Sequence, residues 1–312
     1  MLTIEKILFP TDLSESSLQA LPLATHLAEL HGSDLHMFHA YVMHSLAAIN
    51  DDDLYPGEGE ARWALEESVA GVTWNRVVHS IGRAVHAAPA ILEYANEHDI
   101  DLIVMGSHGR RGFRRLLIGS VTEEVVRLAR CPVLVIRDDP DTIVPLTIDR
   151  VLVPVDFSHH GSMAASYGRE LASAWKANLE LLHVMEPAPY ADAELFFPRL
   201  MDEQEVRSFA EDHVAGIAEN IGIDHPACVK VVSGYAADVI TSEAARADGT
   251  VIVMPSHGYR GFERVLLGSV TERVLRRAPC PVLVLRADGK ELRPRSALHG
   301  IEAVVGVHTP GG

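Results

Sequence analysis

Cysteine is scarce. Three in 312 residues make no disulfide framework. No Cys-x-x-Cys pair occurs, so a zinc-ribbon site is excluded. Cys131 and Cys280 each precede a proline and read as packing groups at a strand entrance. No run of 18 or more apolar residues occurs, so no membrane-spanning segment is expected. Residues 1–6 lack the basic-then-apolar layout of a signal peptide, which points to a cytoplasmic chain. Positive charge is short as well. Lys and Arg number 27 against 43 Asp and Glu, a net charge of −16, which argues against a nucleic-acid backbone as partner. Catalytic signatures are also missing. There is no Gly-x-Ser-x-Gly elbow and no Gly-x-x-x-x-Gly-Lys-Ser/Thr loop, hence no lysine to stabilise a transferring phosphate. No positioned base for water is evident. No catalytic residue and no metal ligand is therefore named.

What the chain does have is a glycine-punctuated stretch at residues 105–121, Met-Gly-Ser-His-Gly-Arg-Arg-Gly-Phe-Arg-Arg-Leu-Leu-Ile-Gly-Ser-Val. It follows an apolar run, 101–105, that reads as a buried strand. It precedes residues 120–130, which read as a helix starting at Ser120. Free N–H groups and the dipole of a helix start favour an anion. Gly106 and Gly109 let the backbone approach a ligand, Ser120 adds a hydroxyl, and Arg110, Arg111, Arg114 and Arg115 add positive charge. The stretch reads as a phosphate cradle; an ordinary strand–turn–helix connection is the bland alternative. His108 reads as a loop histidine bonded to backbone in preference to a catalytic one.

The stretch is written twice. At an offset of 149, residues 101–137 and 250–286 agree at 25 of 37 positions. A repeat this long means two copies of one domain. The first copy contains apolar strand patterns at 7–10, 34–40, 75–79, 101–105 and 132–136. Helical spacing lies between them, at 14–31 (with Pro22 inside), 60–70, 87–98 and 120–130. Gly82 follows the third strand. The pattern restarts at residue 151, with helical spacing at 203–220. Near-continuous apolar strands alternating with helices predict parallel sheets covered on both faces. The expected division is 1–140, a linker at 141–149, a second domain at 150–287, and a C-terminal tail at 288–312. In such sheets ligands bind beyond the carboxyl ends of the strands, where strand order reverses. Asp12 and Gly106 would meet there. His39 and His183 end apolar strands and read as satisfied core groups.

The spacing Gly106-x-x-Gly109, nine residues, Gly119-Ser120, with Met105 before it and Asp12 after the first strand, resembles the universal stress protein family in its tandem form. The resemblance covers residues 3–137 and 148–286. It implies an α/β fold of two tandem Rossmann-like domains, each a five-stranded parallel sheet of the adenine nucleotide alpha hydrolase-like kind. It implies ATP in the crevice, with Mg2+ on the phosphates because no lysine neutralises them. Carried over by position, Asp12 would hold the adenosine part, with Pro10 and Thr11 nearby, and Ala40 would pack against adenine through its backbone. Gly106, Gly109, Gly119, Ser120 and Val121 would surround the phosphates, with Met105 and Arg110 beside them at the site. In the second half the matching positions are Pro154, Asp156, Val184, Gly258, Gly268, Ser269 and Val270. That half departs from the pattern: Pro255 replaces Gly106, Tyr259 replaces Arg110 and Glu263 replaces Arg114. Proline has no N–H to donate, so the first half is expected to hold the better site. Family members pair their fifth strands edge to edge, which here implies an internal pseudo-dimer and leaves a homodimer open. The resulting expectation is an ATP-responsive stress-response module. An interaction module that works without nucleotide, or a slow ATPase, are the alternatives.

Overall fold

The computed structural model describes residues 3–42, 58–68, 74–108, 118–137, 147–187, 203–223, 228–257 and 267–286. The expected tail lies outside these residues, as do most of the linker, Gly109, Arg110, Gly258 and the arginines at 111, 114 and 115.

The first half contains strands β1 (Lys6–Pro10), β2 (Asp34–Val42), β3 (Val77–Ala84), β4 (Leu102–Gly106) and β5 (Val133–Ile136). Its helices are α1 (Glu15–Leu18), α2 (Leu21–His31), α3 (Glu58–Glu67), α4 (Ala87–Glu97) and α5 (Ser120–Leu128). The second half contains β6 (Arg150–Pro154), β7 (Asn178–Met185), β8 (Val229–Ser233), β9 (Thr250–Pro255) and β10 (Val282–Leu285). Its helices are α6 (His159–Trp175), α7 (Glu203–Asn220), α8 (Ala236–Ala244) and α9 (Ser269–Arg277). All ten strands form one sheet in the order β3-β2-β1-β4-β5-β10-β9-β6-β7-β8. Within each half every pairing is parallel. The halves join through an antiparallel β5–β10 ladder with Leu134 opposite Leu283. Both strands are buried throughout, as strands covered on both faces must be. One apolar cluster runs across the seam on each face, so the halves share their cores. Cys131 and Cys280 are buried and in no disulfide.

Three local departures have physical causes. The helix expected at 14–31 is divided at Gln19–Ala20, because Pro22 cannot donate the N–H that would continue α1 into α2. The second half has Ser166 at this place, and α6 runs unbroken. The third strand, expected at 75–79, runs instead from Val77 through Gly82 to Ala84. The Phe38 ring lies over Gly82, and a Cβ there would meet it at 2.7 Å. The C-cap of α2 is Gly32 in the left-handed region (φ 69°), whereas the equivalent cap of α6 is Lys176 at φ 56°. A side chain in that region costs about 1 kcal/mol. Lys176→Gly is therefore expected to raise stability by roughly that amount. Urea unfolding of the two chains would show it as a higher midpoint at unchanged slope.

Candidate nucleotide crevice

In each half strand order reverses between the first and fourth strands, where β1 lies beside β4 and β6 beside β9. The β1–β4 register consists of Ile7↔Leu102 and Leu8↔Ile103. Thr11 N–H donates to Phe38 O at 2.9 Å, toward β2. Alternation along a strand then turns residue 10 toward β4, and residue 10 is proline, with no N–H for the next rung. Pro10 thus ends the ladder and lets the two strand ends part. Pro154 does the same in the second half, where Val155 N–H donates to Leu182 O at 2.8 Å.

Pro255 also finds its explanation here. In β4, Ile103 and Ser107 donate their N–H groups to Pro132 O and Ile136 O, on the β5 side. In β9, Ile252 and Ser256 donate likewise to Pro281 O and Leu285 O. Residues 106 and 255 therefore face the split between strands. Proline is tolerated in this central strand because it interrupts no rung toward β10. In the first half Gly106 brings an N–H to the split; in the second, Pro154 and Pro255 leave both strand ends without one.

The loop after the first strand enters from the other side. Asp12 Oδ1 accepts from Ser14 N at 3.1 Å and Ser14 Oγ at 2.6 Å, and Ser14 Oγ caps α1 through Ser17 N. Asp156 Oδ1 accepts from Ser158 N and Ser158 Oγ in the same way. The loops nevertheless differ. Leu13 lies at φ 63°, while among the described residues its counterpart Phe157 has no positive φ. Buried Thr11 and Ser17 share a hydroxyl hydrogen bond of 2.8 Å, where the second half has Val155 and Gly161. A Cβ at Gly161 would meet Asp156 O at 2.5 Å, so the second loop sits down on its helix. A Cβ on Gly106 would lie 3.3 Å from both Ser16 O and Ser17 Cα. The glycine has thus changed sides between the halves: Gly106 beside Ser17 in one, Gly161 for Ser17 and Pro255 for Gly106 in the other.

Across the split stands the start of α5. Gly119 is the N-cap and supplies no side-chain bond, so Ser120, Val121 and Thr122 begin the helix without a cap. Ser120 is exposed and half-buried Val121 packs on the core, as Ser269 and Val270 do on α9. Met105 is buried in β4, and Ala40 and Val184 are half-buried near the ends of β2 and β7. Ser16 Oγ reaches His108 O at 3.5 Å, which ties the Asp12 loop to the glycine loop.

The histidines were partly misread from sequence. His39 and His183 are satisfied, through Nδ1 to Thr11 O at 2.8 Å and to Val155 O at 2.9 Å. His108 and His257, expected on backbone, instead pair Nδ1 with the hydroxyl of the preceding serine, at 2.8 Å and 3.0 Å. Burial is the first cause that lowers the His257 pKa, followed by the charge of Arg286. Thr122 and Thr271 were missed altogether. Their repetition in Gly-Ser-Val-Thr was visible, but nothing in the pattern said where the hydroxyls point. A cavity of about 170 Å3 lies at the opposite end of the sheet, near Thr250 and Cys280. Burial pushes the Cys280 thiol up to about 12, so it is unreactive.

The universal stress protein family model matches residues 3–137 and 147–286. A universal stress protein of Mycobacterium tuberculosis is 34% identical over 199 residues, covering 64% of this chain. The matched region spans 65% of that relative's length. One from Mycolicibacterium smegmatis is 28% identical over 291 residues, 90% of this chain and 96% of its own. The crystal structure of a universal stress protein from Archaeoglobus fulgidus is 26% identical and covers 91% of this chain and 98% of its own, with a TM-score of 0.62. With both halves matched, the chain belongs to the universal stress protein family, in its tandem form.

Proposed function

We propose that the chain is an ATP-binding stress-response module whose working site is the crevice of the first half. The observation that carries this is the split opened by Pro10, with Asp12 on one lip and the uncapped start of α5 on the other. Unpaired helix N–H groups beside an exposed serine suit phosphate oxygens. The absent side chain at Gly106 lets the Ser16–Ser17 backbone lie close beside the split, where an added Cβ would meet it at 3.3 Å. Pro10, Thr11, Asp12 and Ala40 would hold the nucleoside; Met105, Gly106, Gly109, Arg110, Gly119, Ser120 and Val121 would hold the phosphates. The second-half set, Pro154, Asp156, Val184, Gly258, Gly268, Ser269 and Val270, is the weaker site, since Pro255 brings no N–H to its split. Among the described residues no group of three or more His, Cys, Asp or Glu could hold a metal. Mg2+ would therefore enter on the phosphates and not in a protein cage. No general base for hydrolysis is assigned.

The β5–β10 ladder supports reading residues 1–140 and 150–287 as an internal pseudo-dimer. It also covers two sheet edges that would otherwise invite association.

The test is gentle purification, denaturation and mass spectrometry of the released small molecule, with its stoichiometry. About one adenine nucleotide per chain is expected, and Asp12→Ala should release none. Two per chain would overturn the asymmetry. None, together with no calorimetric binding of added Mg-ATP, would overturn the nucleotide reading.

A further inference from the structure

Two bonds join the end of β4 to the start of α5. Gly119 N–H donates to Ser107 O at 2.8 Å, and Thr122 Oγ1 donates to Gly106 O at 3.0 Å. Thr122 is 4% exposed and occupies the third position of α5, where a hydroxyl would ordinarily be free to turn. Here it reaches backward across the strand end instead. The second half repeats both bonds, Gly268 N–H to Ser256 O at 2.8 Å and Thr271 Oγ1 to Pro255 O at 3.0 Å. The threonine bond therefore survives the exchange of glycine for proline and does not depend on the N–H that proline lacks. It fixes the rotation of the helix start about its own axis, and so the direction of the three uncapped N–H groups relative to the split.

We infer that Thr122 is a positioning residue for phosphate binding, aiming the α5 N–H groups through its grip on the Gly106 carbonyl. This rests on the nucleotide reading above. Thr122 itself touches no ligand. Losing its donor leaves a buried carbonyl unpaired and releases the helix start, which affects the phosphates and leaves the Asp12 side of the crevice intact.

The experiment compares ATP and adenosine binding by calorimetry on the full chain. Thr122→Val should weaken Mg-ATP by about tenfold and adenosine by less than about twofold, and Thr122→Ser should restore both. Thr271→Val should leave Mg-ATP affinity unchanged, although it removes the same bond from the fold. Should the valine chain fail to fold, Thr122→Ala enters the same comparison. Parallel losses for ATP and adenosine, or no loss for either, overturn the positioning role while wild-type binding stands. A wild-type chain that binds neither compound overturns the nucleotide reading and this inference with it.

Discussion

Gly106→Pro is expected to abolish nucleotide binding by the first half and to destabilise it by about 1–3 kcal/mol, the range for overpacking a close contact. The two losses should be separable. The ring would press on Ser16 O and Ser17 Cα, each 3.3 Å from an added Cβ. The second half carries proline at this place together with Gly161 and Val155. Introducing Thr11→Val and Ser17→Gly beside Gly106→Pro transplants that arrangement. Both members of the 2.8 Å hydroxyl pair go together, and the bonds they also make with Leu13 N–H and Ser14 O are lost with them. The triple variant should regain most of the lost stability, read by urea unfolding, and still bind no Mg-ATP. A triple variant that binds like wild type would mean that the N–H of residue 106 is irrelevant to the ligand.

Acid should loosen the seam between the halves through one histidine. His31 ends α2 and Trp175 ends α6, at equivalent places one repeat apart. The Trp175 indole N–H donates to His31 Nε2 at 2.9 Å, which requires a neutral ring. Burial lowers the His31 pKa from 6.5 to about 4. The folded value lies below the unfolded one, so this contribution is complete above pH 6.5 and is lost as pH falls from 6.5 toward 4. Its size is about 2 kcal/mol after allowance for the partly exposed ring. His36 acts with the same sign. Burial is its first cause, the charges of His98 and Lys6 follow, and its Nδ1 faces the Tyr94 hydroxyl at 2.9 Å. Carboxylates titrate in the same window, so the measurement is a difference. Unfolding free energies of wild type and His31→Phe, taken at pH 7, 5.5 and 4, should converge as pH falls. A constant difference would show that His31 is not what titrates.

Each half reads from sequence because its signals are local. Apolar strand runs, helical spacing and a 37-residue repeat each act within a short stretch of chain. Pro10, Asp12, Gly106 and Gly119 could be placed at strand ends and a helix start for the same reason. What the sequence left open was decided in another part of the chain. In the sequence pattern Gly82 follows the third strand, but it lies inside β3 with the Phe38 ring of the neighbouring strand over it. Pro255 is expected to cost the second half a donor, and its place as the last residue of a central strand shows why the fold accepts it: its missing N–H would not have faced β10. Buried polar positions followed the same rule. His36, Tyr94 and Ser80 form a neutral network in the first half. In the second, Arg150 pairs with Glu180 at 2.8 Å and Lys230 with Glu243 at 2.5 Å.

By itself, then, the sequence determined two copies of one α/β unit and the residues at their strand ends, because periodicity and glycine or proline geometry are properties of consecutive residues. Only the tertiary structure decided the rest: the β5–β10 seam, the His31–Trp175 contact, the hand-over of the glycine from position 106 to position 161, and the reach of Thr122 to Gly106. Each depends on which way a group points across a contact between distant segments, and no spacing along the chain encodes that direction.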